Sequence, residues 1–152
     1  MKRWKLLLAA VAFAILLPRG QGLDAARLNP VMVLYLYTED GRLVVETDVN
    51  AVGKGTSVPS AVEDLCRTAQ GRIFLDTTEY LLVTPQTVNA IAELKRVLRP
   101  STVVIRTEGE IEMESLPLYL QSREIRITLR DYLTAGAALP VLTSREGRYY
   151  IE

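Results

Sequence analysis

The run Val31-Met-Val-Leu-Tyr-Leu-Tyr37, the turn Glu39-Asp-Gly41 and the run Leu43-Val-Val-Glu-Thr-Asp-Val49 together decide how this chain folds. The first run is apolar at every alternate position on both sides, as a strand covered on both faces requires. Glu39-Asp40-Gly41 is a turn signal, because glycine takes positive φ without steric cost. The second run alternates. Leu43, Val45, Thr47 and Val49 share one face, and Val44, Glu46 and Asp48 share the other. A hairpin of one central strand and one half-covered neighbour explains both patterns. Asn29-Pro30 breaks the chain just before it.

Toward the C-terminus, Gly53-Lys-Gly-Thr-Ser57 reads as a loop. Ser57 or Ser60 is suited to cap the helix that follows, Pro59 suits its first turn, and Ser60 with Glu63 has capping-box spacing. Ala61, Val62, Leu65, Cys66 and Ala69 recur at helical spacing, and Gly71 ends the helix. Ile73–Leu75 and Tyr80–Val83 read as paired short strands around an Asp76-Thr-Thr-Glu79 turn. Thr84 and Pro85 open a second helix with Val88, Ile91, Ala92, Leu94, Val97 and Leu98 on its apolar side. Thr102–Arg106 is a β-branched strand.

Glu110–Gln121 is a third helical stretch with Pro117 inside it. Proline forced into a helix interior costs about 3 kcal/mol. Thr128–Leu133 reads as one short helical turn, and Pro140–Leu142 and Arg148–Ile151 as closing strands. Interleaved strands and helices with hairpins predict an α/β (α+β) fold, a single domain with a mixed β-sheet and about three helices packed on it.

Toward the N-terminus, residues 1–22 read MKRWKLLLAAVAFAILLPRGQG. Three basic residues precede an uncharged apolar run from Leu6 to Leu17, which Pro18 and Arg19 end. This is the layout of a secretory signal, with Gly20 and Gly22 at the −3 and −1 positions of a cleavage site. Twelve apolar residues are short for a span, which needs about twenty, so a cleaved signal is favoured over an uncleaved membrane anchor. The expected organisation is a signal peptide or anchor over 1–22 and one α/β domain over 23–152. The expected location is outside the cytoplasm, membrane-associated or secreted.

The whole chain has zero formal net charge. Without Lys2, Arg3, Lys5 and Arg19, 14 basic residues face 18 acidic ones, a net of −4. Nucleic-acid binding rests on many Lys and Arg contacts to phosphates, so a mildly acidic domain without a basic stripe argues against it. There is no histidine, which removes the usual general base and metal ligand. Cys66 is the single cysteine, so no intramolecular disulfide forms, and it is expected as a small buried residue on a helix face.

Four groups invite a chemical reading. Gly53-Lys-Gly-Thr-Ser57 joins a strand to a helix, but a phosphate loop needs a longer wrap with lysine after its last glycine. Glu108, Glu110, Glu112 and Glu114 alternate without the pattern of a calcium loop, and a solvated acidic edge is expected. Asp76 and Glu79 could serve a hydrolase only by converging across a cleft, and turn chemistry explains them. Tyr35, Tyr37, Tyr119, Tyr149 and Tyr150 could form a contact surface, although strand aromatics are usually core. No catalytic, cofactor-binding or metal-ligating residue is assigned, no cofactor is implied, and no enzymatic activity is expected.

The order and spacing of several segments resemble a known family. Leu23–Tyr37 leads from a polar stretch into an apolar strand. Gly53-Lys-Gly-Thr-Ser57 with Ala61 and Leu65 matches a G-x-G-x-S loop and first helix. Gly71–Val83, Leu98–Gly109, Ala137–Leu142 and Gly147–Ile151 follow in the same order. Together they resemble the N-terminal domain of the C subunit of bacterial spore-germination nutrient receptors. Members of that family are lipoproteins, and here Gly22 stands near the place of their lipidated cysteine. The resemblance implies a non-catalytic protein–protein interaction domain. It would act in spore germination or sporulation at the membrane of a Gram-positive cell, with integral-membrane receptor subunits as partners. The alternatives are a small exported ligand-binding protein and a carboxylate-dependent hydrolase.

Overall fold

Asn29-Pro30 lies in the short strand β1 (Leu28–Pro30), where the computed structural model of the protein begins its description, covering residues 28–152. The stretch read as a signal or anchor falls outside those residues. The hairpin forms as the residues require. Asp40 and Gly41 take φ of 50° and 74°, and this two-residue turn joins β2 (Val33–Glu39) to β3 (Arg42–Thr47), setting Glu39 opposite Arg42. A second turn, with Asn50 at φ 57°, leads into β4 (Val52–Gly55), antiparallel to β3.

Residues 53–55 are therefore strand and not the loop that their composition suggests. The reason is packing. Gly53 and Gly55 lie against helix α1 (Val58–Thr68), so that a Cβ on Gly53 would sit 2.2 Å from the Ala61 carbonyl oxygen and 2.4 Å from the Leu65 nitrogen. The glycines are needed for close approach of two backbones. Ser57 caps α1 and shares a capping box with Ser60, while Val58, Ala61 and Leu65 form the buried stripe. Cys66 lies one residue past that stripe and is exposed, which corrects its expected burial.

The next strand also departs from expectation. β5 (Arg72–Phe74) does not pair with β6 (Tyr80–Val83); it lies parallel to β1 in a two-stranded sheet. Thr77 holds it there. Its Oγ1 accepts from the Val31 nitrogen at 3.0 Å and donates toward the Phe74 carbonyl at 2.7 Å. Both edges of β6 are already occupied, by β2 on one side and β7 (Val103–Glu108) on the other, in parallel pairings.

The remaining helices are short. The second reduces to α2 (Ile91–Leu94), preceded by a 3₁₀ turn over Val88–Ala90, and Ala92 is on its exposed side. The third begins only at α3 (Leu116–Gln121), because Pro117 is tolerated in a first turn and not in an interior. The expected single turn is a fourth helix, α4 (Leu129–Ala135), with Thr128 and Asp131 in a capping box and Gly136 at φ 61° as its stop. Strands β8 (Val141–Arg145) and β9 (Arg148–Ile151) close the chain as a hairpin.

The seven-stranded sheet has the order β4-β3-β2-β6-β7-β8-β9, parallel through β2, β6, β7 and β8 and antiparallel at both ends. The fold is mixed α/β, as expected. Strand alternation divides the core in two. Leu34, Leu36, Leu81, Val83 and Val104 meet α1, α2 and Leu129 of α4 on one face. Val33, Tyr35, Leu82, Ile105 and Leu142 meet Met113, Leu116 and Leu120 on the other. Each fully buried leucine contributes about 2 kcal/mol. The parallel strands run β2, β6, β7, β8 in one direction without reversal.

The glycine contact yields a sharp comparison. Gly53→Ala should destabilise the fold by about 3 kcal/mol, since a backbone must move to admit the methyl group. Gly41→Ala has open space around it and strains only φ, costing about 1 kcal/mol. Urea unfolding of the two variants beside the parent protein measures the difference.

Candidate interaction surface

A sheet of seven strands has two edges, each with backbone groups that no neighbouring strand bonds. The two edges here are treated differently. On β4 the outward groups belong to Val52 and Lys54, and α1 answers two of them. The Thr68 hydroxyl, shared with the Asp64 carbonyl at 2.8 Å, reaches the Val52 carbonyl at 3.2 Å, and the Lys54 nitrogen donates to Asp64 Oδ2 at 2.9 Å. Asp64 also accepts from Arg67 at 2.6 Å. The Lys54 backbone N–H, and then Arg67, hold its carboxyl below the usual range. Lys54 Nζ pairs with Glu39.

The β9 edge is open. Val141 and Glu152 exchange both backbone bonds, at 2.9 and 3.0 Å. Antiparallel alternation then turns the groups of Glu152, Tyr150 and Arg148 toward β8, and those of Tyr149 and Ile151 outward. Among the described residues none of these four outward groups has a hydrogen-bond partner. Arg148, Tyr150 and Glu152 are exposed on one face of β9, and Tyr149 and Ile151 are half-buried on the other.

A cleft of about 450 Å³ runs along this edge, lined by Tyr119, Arg123, Arg148, Tyr149, Tyr150, Ile151 and Glu152. Tyr149 fixes its wall. Its hydroxyl donates to the Glu112 carbonyl at 2.7 Å and accepts from the Glu112 nitrogen at 3.2 Å. Its ring tilts 49° against Tyr119 at 5.3 Å, and the Arg123 guanidinium lies 5.0 Å over Tyr119. Leu118 on α3 is 76% exposed and Tyr150 46% exposed. The edge therefore carries aromatic rings, two guanidinium heads and the Glu152 carboxylate, groups of the kind that make contacts between proteins.

The sequence candidates fall in different places. Tyr119 and Tyr149 meet and Tyr150 stands on the other face of the same edge, whereas Tyr35 is buried beside Tyr37 on β2, with ring centroids 4.7 Å apart. Tyr119 and Tyr149 are thirty positions apart on a helix and a strand, so no local pattern signals their meeting. Glu108, Glu110, Glu112 and Glu114 are all exposed, and among the described residues no three acidic or cysteine side chains gather as metal ligands. Asp76 and Glu79 are both exposed and border neither cleft described here. The Gly53–Ser57 segment is committed to the β4–α1 contact. A second cleft, of about 530 Å³ between β4, the end of α1 and β1, is lined among the described residues by no titratable side chain.

The shifted groups are structural. Asp48 accepts from the Met32 nitrogen at 3.1 Å and the Val33 nitrogen at 3.2 Å, closing the start of β2, and burial pushes its carboxyl up. Tyr37 donates to Glu46 Oε2 at 3.1 Å; burial, then the Glu46 charge, push its phenol up to about 12.

Comparison with family models, with curated proteins and with solved structures finds no match to this chain. The fold and the open edge are therefore the grounds for a functional reading. Among the described residues no helix is long and apolar enough to cross a membrane.

The Tyr37 shift has a signed consequence. A phenol that keeps its proton longer in the folded state than in the unfolded one loses stability as pH rises, here between the ordinary 10.0 and about 12. Urea unfolding across that window should show stability falling, and Tyr37→Phe should flatten the fall. Ultraviolet titration of phenolate absorbance should show one fewer late-ionising tyrosine in the variant.

Proposed function

We propose that this protein is a non-catalytic, exported interaction domain that docks through the β9 end of its sheet, in the spore-germination or sporulation machinery at the membrane. The observation that carries the reading is the contrast between the edges. α1 answers two outward groups of β4, while among the described residues the outward groups of β9 have no partner, beside a cleft of tyrosines, arginines and Glu152. Free strand edges bind partners by strand addition, with backbone bonds supplying affinity and flanking pockets specificity. The basic and apolar stretch 1–22 supports export, and the order and spacing of sequence segments from Leu23 to Ile151 support the germination setting through their resemblance to the receptor C subunit. The partners in this reading are integral-membrane receptor subunits. The hydrolase alternative loses its carboxylate pair, since Asp76 and Glu79 face solvent.

The test is affinity isolation of the tagged full-length protein from gently solubilised membranes of sporulating cells of its host. Copurification of polytopic receptor subunits is the expected result. Recovery of the protein alone, in the soluble exported fraction, would remove the membrane-machinery reading.

A further inference from the structure

We infer that the open β9 edge takes a second copy of this chain, in antiparallel register with Tyr150 opposite Tyr150. The inference rests on the reading of the β9 end as an interaction surface and names one occupant of it. The register follows from which groups are free. Only Tyr149 and Ile151 present backbone groups outward, so a paired strand must set these positions against each other. Placing Tyr149 of each copy opposite Ile151 of the other joins all four outward groups of each copy in hydrogen bonds.

That same register is complementary in charge. Arg148, Tyr150 and Glu152 share the exposed face, so Arg148 of each copy falls opposite Glu152 of the other, twice across the two-fold axis. The two Tyr150 rings meet on the axis. Opposite charges placed directly across a strand pair attract, and like charges repel. A shift of two residues sets Arg148 opposite Tyr150 or Tyr150 opposite Glu152 and breaks both charge pairs. A shift of one residue turns outward groups against residues whose own groups point inward. One register alone satisfies bonds and charges together.

The contact is short, a single strand with its flanking cleft, well under the roughly 1,200 Å² of a stable complex. Self-association is therefore weak in dilute solution. It strengthens where copies are concentrated on one membrane.

Disulfide trapping in the full-length chain, held in mild detergent and carrying Cys66→Ser, tests the register. Opposed residues of a non-bonded pair have Cα atoms about 4.5 Å apart, within disulfide reach. Tyr150→Cys should oxidise to a dimer. Arg148→Cys alone should not, and an equal mixture of Arg148→Cys and Glu152→Cys chains should. Charge reversal gives a second readout on exposed positions that leave the core untouched. Arg148→Glu and Glu152→Arg should each weaken self-association about tenfold, and the double variant should restore it. Equal trapping at positions 148 and 150, or none at either, would overturn the inference. If Tyr150→Cys stays monomeric while the protein still copurifies with membrane subunits, self-pairing is wrong and the interaction reading stands. Loss of both removes both.

Discussion

Strand β2 must be covered on both faces, and the rest of the molecule follows from that constraint. Leu34 and Leu36 point to one side, Val33 and Tyr35 to the other, and all four are buried. A strand of this kind is not stable at an edge. It needs a neighbour on each side and a layer above and below. The hairpin partner β3 supplies one neighbour and β6 the other. α1 and α2 supply one layer; α3 and Met113 supply the second. Buried threonines fix the register of these layers: Thr87 Oγ1 donates to the Leu36 carbonyl at 2.8 Å, and Thr102 Oγ1 to the Thr78 carbonyl at 3.0 Å.

The different states of the two sheet edges come from where the helices sit. α1 approaches β4 so closely that two glycines are required, and this brings Asp64 and Thr68 within reach of the strand's outward backbone groups. At the far end α3 covers only the inner face of β8 and β9. It contributes Tyr119 to the flank of the edge, with Arg123 following just past its C-cap.

Much of the fold was legible in local pattern. The Asp40-Gly41 turn, the capped start of α1 at Ser57 and the double-sided character of β2 follow from residue types at short range. The errors came where long-range contact overrode composition. Gly53-Lys-Gly55 has the composition of a loop, yet is strand because a helix backbone lies on it. Ile73 and Phe74 look like one arm of a hairpin, yet Thr77 ties them to β1. Cys66 fits a helical stripe by spacing and lies just beyond its edge. The candidate surface was least legible, because Tyr119 and Tyr149 meet only through the β7–β8 connection, and because a free edge is a property of strand order, which local sequence does not encode.

The capped β4 strand limits what can be assembled from this domain. Sheets with two free ends can join head to tail without limit and grow into fibres. Here Asp64 and Thr68 occupy backbone positions that an incoming strand would need. Any union through β9 consumes the end that remains open and leaves a capped end on the outside. Growth along the sheet then stops at a closed pair, a built-in chain terminator for a β-rich protein.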